Sequence, residues 1–404
     1  MVKLALRMAL VSSALIAAPL QASITYQIAI DKDDPTQALI EVDTSELEAT
    51  LWSPARELAA QPPLPLVCHT GDETNLLPYQ VKQTCEKVSW SLHFEPAPEH
   101  GIDASEQQNS YSAKKGWHLL TEWHSLPRLE TDAAIQVCFA EDHCRPLPSE
   151  TQAPLFMLAN LPMQQVTLFK RALPVYTDVD DLLKNKQTWQ PVMEEQMAYL
   201  LGVFSAYRAM PWELAVFGRE QSAGSLGGAS GEQVFITNIP LENGVLAQNA
   251  LPHFLRISAH ESIHFFSNID EPIWLNESLA EYYAQKSLFD TEYAHIDPLQ
   301  AWRNAAKKLP VADTGLYLAS KKVSEQQLMQ YYPLFYLKGA AFWLELDMQL
   351  QREARSLDQY IALLQQGDSQ DEKLPNAFVE AVSEVIGGGV FKQLEGKYLL
   401  SVKS

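Results

Sequence analysis

The sequence predicts an α+β fold, a β-rich first part followed by a helical second part, from three observations. Apolar and polar residues alternate in short runs from Ser23 to about Ala140. Apolar spacing then becomes helical from about residue 189 to the end. Between the two lies a Pro-rich passage, RPLPSETQAPLFMLANLP (145–162), which reads as the connection. The chain has 404 residues, 47% hydrophobic and 20% charged, a length that suggests two or three domains and can bury a large core without help from crosslinks. The formal net charge is −20 and no Lys/Arg-rich run occurs, which argues against nucleic acid or an anionic membrane as partner.

Residues 1–22 carry Lys3 and Arg7, a short apolar stretch from Met8 to Ala18, and the small residue Ala22. They predict a cleaved secretory signal, hence an exported protein, periplasmic or secreted, with no stable membrane insertion after signal removal. The expected division is 1–22 signal, 23–160 an N-terminal antiparallel β domain, and 161–404 a catalytic domain. The strands expected in the first part are ITYQIAI, QALIEVDTS, KVSWSLHFEP and AAIQVCFA, parted by turns such as QPPLPL and EPAPEHG. Four cysteines, Cys68, Cys85, Cys138 and Cys144, all fall there. In an exported protein they read as two disulfides, and Cys68–Cys85 with Cys138–Cys144 is the preferred of three pairings.

In the second part WQPVMEEQMAYLLGVFSAYRAM predicts a long amphipathic helix. WELAVFG and EQVFITN predict strands flanking the glycine-rich SAGSLGGASG, which is either a surface loop or an edge strand lining a substrate. Gly227, Gly228 and Glu232 are the candidate lining residues. LKGAAFWLELDMQLQREAR, SLDQYIALLQQ and PNAFVEAVSEVIGGG predict helices, with Gly387 to Gly389 a stop followed by a turn.

The chemistry concentrates in AHESIHFFSNIDEPIWLNESLAEYY (259–283). His260 and His264, four apart, share one helix face and can hold one metal ion together. Glu261 is rotated off that face, beside the ion rather than on it, where a general base is needed. Chance alone gives His-Glu-x-x-His in roughly one or two such chains per hundred, so context decides. Past the break NIDEP a second helix begins. In a short hairpin Glu277 lies at the height of His264 and can be the third ligand, leaving a fourth position for water. Glu281, one turn on, is placed to hydrogen-bond a ligand imidazole.

The two motifs, His-Glu-x-x-His and WLNESLAEYY, resemble the gluzincin zinc metallopeptidases, the group of thermolysin and aminopeptidase N. That resemblance implies a thermolysin-like, mainly α-helical catalytic domain and one zinc ion held by His260, His264 and Glu277. It also implies Glu261 as general base and Glu281 behind the ligands. Ser278 stands where the pattern usually has Gly. FYLKGAAFWLELD (335–347) is similar to the Y-x-K-G-A pattern of aminopeptidase N-like members, which implies Tyr336 as the residue that stabilises the oxyanion, with Lys338 and Gly339 structural. The chain looks most like the glycyl-aminopeptidase-like branch, but is expected to lack that branch's PDZ domain, since it ends soon after FKQLEGKYLL. The resemblance is specific over 255–285 and 333–345. The glutamate-bearing G-x-M-E-N strand of the aminopeptidases is not reproduced, so aminopeptidase and endopeptidase action both stay open.

The expected function is an exported zinc peptidase acting on a peptide or protein substrate. Two alternatives stand beside it: a catalytically inactive zinc-stapled binding or assembly protein, and hydrolysis of a non-peptide bond at the same site.

Overall fold

The computed structural model describes residues 23–56, 62–140, 143–168, 170–204, 212–267, 269, 272–294, 296–365 and 372–401, so the expected signal lies outside the described residues. The β-rich part is built on a seven-stranded sheet. Its order is His143–Pro146, Ile135–Ala140, Ile24–Ile30, Gln37–Asp43, Lys87–His93, Leu66–Thr70, Glu73–Leu77. Alternation sets its buried face: in Gln37–Asp43, Ala38, Ile40 and Val42 are buried while Leu39 is 40% exposed. Tyr26, Trp52 and Trp90 pack edge-to-face or tilted at 5.4–5.9 Å between ring centroids at its centre. The sheet is antiparallel as expected except where Ile24–Ile30 runs parallel to Ile135–Ala140. A parallel neighbour needs a long connection, and here most of the β-rich part supplies it. Both disulfides form in the preferred pairing.

A second, mixed sheet positions the site. Its order is Met163–Leu168, Arg171–Thr177, Glu213–Glu220, Val234–Glu242, Gly228–Ser230, with Val245–Leu246 also on Val234–Glu242. Its central strand divides by a period of two. Leu214 and Val216 join the helical core, while Ala215 and Phe217 pack with Trp117, Phe156 and Leu158 of the first part. The sheet is covered on both faces. Phe156–Ala159, read from sequence as a connector, is a strand paired with His118–Thr121. All four of its residues are buried, so it shows no polar alternation to announce it.

The remainder is helical, as expected. The long amphipathic helix spans Lys186–Val203, and the last part of its expected range, 205–210, lies outside the described residues. The His-Glu-x-x-His motif lies on Ala250–Ser267 and Glu277 on Ile273–Lys286. Gly387 ends Asn376–Ile386 at φ +87°, a conformation that favours glycine. The expected turn is instead a short helix, Gly388–Leu394, starting at the next residue.

Behind the two motif helices packs Ala340–Arg352, entered through one π turn, Phe335–Gly339. Trp274 and Trp343 stack between them, 6.1 Å apart and within 5° of parallel. Gly339 touches the motif helix: a Cβ there would lie 2.2 Å from Ser278 Cβ. Ser278, the departure noted in the sequence, has a use of its own, since its hydroxyl accepts the Trp343 indole N–H at 2.8 Å. Gly339→Ala is therefore expected to cost about 1–3 kcal/mol of stability by overpacking. Adding Ser278→Gly should recover part of that loss in denaturant titration, and no recovery would show that the clash lies elsewhere.

Candidate metal centre and its cleft

On Ala250–Ser267 one flank carries Phe254, Leu255, Ala259, Ile263 and Phe266 into the core. The histidines ride on the other flank, at the edge of a cleft of about 970 Å³. His260 meets Glu281, and His264 meets Asn276 and Glu277, so the two helices run antiparallel. The structure thus brings together four sequence-picked residues on facing turns.

His260 Nε2 lies 3.4 Å and His264 Nε2 3.9 Å from Glu277 Oε2. One ligand atom from each of the three residues falls within 4.8 Å of the others. Donors bonded to zinc at ~2.0–2.1 Å in a tetrahedron stand about 3.3–3.4 Å apart, a separation the His260–Glu277 pair already has, while the rest of the set must draw inward from within 4.8 Å. The far ring nitrogens are already committed. His260 Nδ1 donates to Glu281 Oε2 at 3.2 Å, and His264 Nδ1 donates to Asn276 Oδ1 at 2.8 Å. Both contacts turn Nε2 toward Glu277, so that Nε2 is the ring nitrogen able to bind a metal ion once it gives up its proton. Two imidazoles and a carboxylate with one open position match zinc by donor type.

Electrostatics also favour a cation here. Burial opposes charge on His260, but hydrogen bonds to Glu277 and Glu281 outweigh it and lift its pKa to about 10. Burial likewise opposes ionisation of Glu277, yet His264 and His260 hold it down at about 2. The cluster retains a positive charge between its carboxylates, a place a divalent ion can take.

Sequence reading missed four partners. Arg256, one turn before His260, donates to both Glu281 oxygens at 2.9 and 2.7 Å, and Gln285 adds a contact at 2.6 Å. Asn276 adjoins Glu277 in the chain but faces His264. Ser230 Oγ lies 2.9 Å from both the Glu261 main-chain oxygen and its Oε2. Arg256 could have been found by helical spacing. Ser230 could not, because only the fold brings Gly228–Ser230 alongside the helix.

Glu281→Gln is expected to weaken zinc binding about 10–100-fold by freeing the His260 ring. Competition with a chromophoric chelator measures this, and unchanged affinity would remove Glu281 from the site.

Glu261 is 6% exposed and borders the cleft rather than the ligand group. Tyr336, on the π turn, stands with its ring centroid 5.5 Å from that of His260. Burial first, then nearby Glu277 and Tyr332, push its hydroxyl pKa well above the ordinary value, so it remains a donor at neutral pH. Lys338 is structural: buried, it donates to the Ala312 and Thr314 carbonyls at 3.1 and 2.8 Å.

Gly227 and Gly228 line the cleft on the edge of the mixed sheet, so the glycine-rich stretch is an edge strand there. A Cβ on Gly228 would lie 2.9 Å from Glu261 Oε1. Glu232 does not belong with them. It follows the turn at Gly231, accepts from Gln152 Nε2 at 3.2 Å, and is absent from the cleft's lining.

No protein-family model matches the chain, and no curated protein matches it. Among solved structures it is similar to an aminopeptidase N family protein from Idiomarina loihiensis, with TM-score 0.65 and 10% identity over 94% of this chain and 76% of that one. Two M1 zinc metallopeptidases superpose less well, each at TM-score 0.48. One, from Deinococcus radiodurans with a Tyr-Ser-Ala substrate bound, is 10% identical over 95% of this chain and 93% of that one. The other, bound to L-arginine, is 12% identical over 94% and 93%. The chain has the α+β fold of the first: sheets, then a helical region carrying the two motif helices.

Proposed function

We propose that the chain is a zinc-dependent peptidase. The observation that carries this reading is the convergence of His260, His264 and Glu277 on one point of a cleft wall that also presents Glu261 and Tyr336. One zinc ion held there supplies Lewis acidity, lowering the pKa of water and polarising a carbonyl. Glu261, fixed by Ser230, accepts a proton from the attacking water and passes it to the leaving nitrogen. The water oxygen bonds the carbonyl carbon, the C–N bond breaks, and a carboxylic acid and an amine result. Tyr336 donates its hydroxyl hydrogen bond to the oxygen on which negative charge develops. The open cleft favours turnover over a purely structural zinc staple.

The same reading takes a peptide or protein as substrate, no nucleic acid as partner, and residues 161–404 as the catalytic domain behind a β domain over 23–160. It places the protein in the periplasm or outside the cell, where its two disulfides persist. No helix among the described residues is long and apolar enough to cross a membrane.

Protein stripped by a chelator is expected to cut nothing in a mixture of peptides read by mass spectrometry, and to recover on adding one equivalent of zinc. Cleavage by metal-free protein, or none after zinc is restored, would end the reading.

A further inference from the structure

We infer that this cleft acts on peptide bonds whose neighbouring α-nitrogen is an uncharged amide, so that internal and N-blocked bonds are its substrates and a free α-amino end is disfavoured. The inference rests on the peptidase reading and specifies its substrate. In a peptide cut after its first residue, the terminal nitrogen is two bonds from the attacked carbonyl carbon, about 2.5 Å away. It must therefore enter the cleft with the scissile bond. As an ammonium, with an ordinary pKa near 8, it needs a compensating anion there; as an amide it needs only a hydrogen bond.

The carboxylates among the described residues lining the cleft are Glu261, Glu277 and Glu281, and each is already engaged. Glu281 receives Arg256, Gln285 and His260. Glu277 faces both Nε2 atoms of the ligand pair. Glu261 is held by Ser230 and must remain free to take a proton. Their three negative charges meet the Arg256 guanidinium and one divalent ion, leaving no net charge for a further cation.

The other described residues of the wall, among them Ser105, Gln107, Leu226 and Ala301, carry no charge. Its inner side is the glycine strand, where Gly228 leaves no room for a side chain beside Glu261. Ile296 and Met329, exposed by 52% and 58% although apolar, also line the cleft and offer apolar surface to a side chain of a bound peptide.

The test uses the zinc-loaded chain and one Leu-rich peptide in two forms, free and N-acetylated. Cleavage is followed bond by bond, and binding of the two forms is compared by letting each compete against the other on the same unsubstituted zinc-loaded chain. The expected result is kcat/KM on the acetylated form equal to or above that on the free form, with binding at least as tight. Removal of the first residue from the free form should be at least about tenfold slower than the internal cuts, as expected for a cation lacking its counter-charge. Faster release of that first residue, or tighter binding of the free form, would overturn the inference alone. Failure to bind or cut either form would sink the peptidase reading and take the inference with it.

Discussion

Glu261→Gln is expected to lower hydrolysis by about 10²–10⁴-fold while zinc content stays at one ion per chain. The substitution keeps shape and volume, so Ile257 and Gly228 retain their neighbour and the cleft wall keeps its form. Only the ability to accept a proton disappears. Ser230 Oγ, 2.9 Å from Oε2, can donate to the amide oxygen as it did to the carboxylate, which keeps the side chain in place. The three ligand side chains are not disturbed, because Glu261 lies outside their group. Metal analysis and peptide turnover on one preparation separate the two roles. Turnover within tenfold of the unsubstituted chain would show that another group moves the proton.

How much of this was legible in the sequence depends on distance along the chain. His260, Glu261 and His264 sit within one helical turn and a residue, so spacing alone placed them. Glu277 and Glu281 needed one further assumption, a short hairpin, and the antiparallel contacts of the two helices meet it. Ser230 lies 31 residues from Glu261 and is joined to it only because Gly228–Ser230 forms the edge of a sheet. Glu232 was picked for its nearness to the glycines. A strand reverses its side chains residue by residue and then turns at Gly231, so two positions beyond Ser230 the chain has left the cleft. The fold class was readable because each half has one dominant period. Phe156–Ala159 escaped because burial on both faces erases that period.

The glycines give the same lesson at closer range. Gly228 belongs to the glycine-rich stretch and Gly339 to the Y-x-K-G-A pattern, and each marks a place where backbone approaches a motif helix too closely for a side chain. At Gly228 the obstacle is the Glu261 carboxylate, and at Gly339 it is Ser278, next to the Glu277 ligand. The helices carrying the proposed base and the proposed third ligand thus each meet a close packing contact from a different element.

Glu277→Ala should weaken zinc binding by well over the 10–100-fold typical of an outer partner, since it removes a ligand itself. Its effect on the metal-free protein has a distinct pH signature. The His260 pKa is raised to about 10 in the folded chain, against an ordinary value near 6.5. Its contribution to stability is therefore full below pH ~6.5 and lost as pH rises through about 10. Glu277 is depressed to about 2, so its contribution is full above its ordinary value near 4.5 and lost as pH falls through 2. Both operate together between about pH 4.5 and 6.5, and there the melting temperatures of metal-free parent and variant should differ most. The gap should narrow toward pH 10, because a neutral His260 no longer draws on Glu277. Scanning fluorimetry across that range checks the sign. A gap that widened with rising pH, or near-normal zinc affinity in the variant, would mean that Glu277 neither pairs with His260 nor ligates the ion.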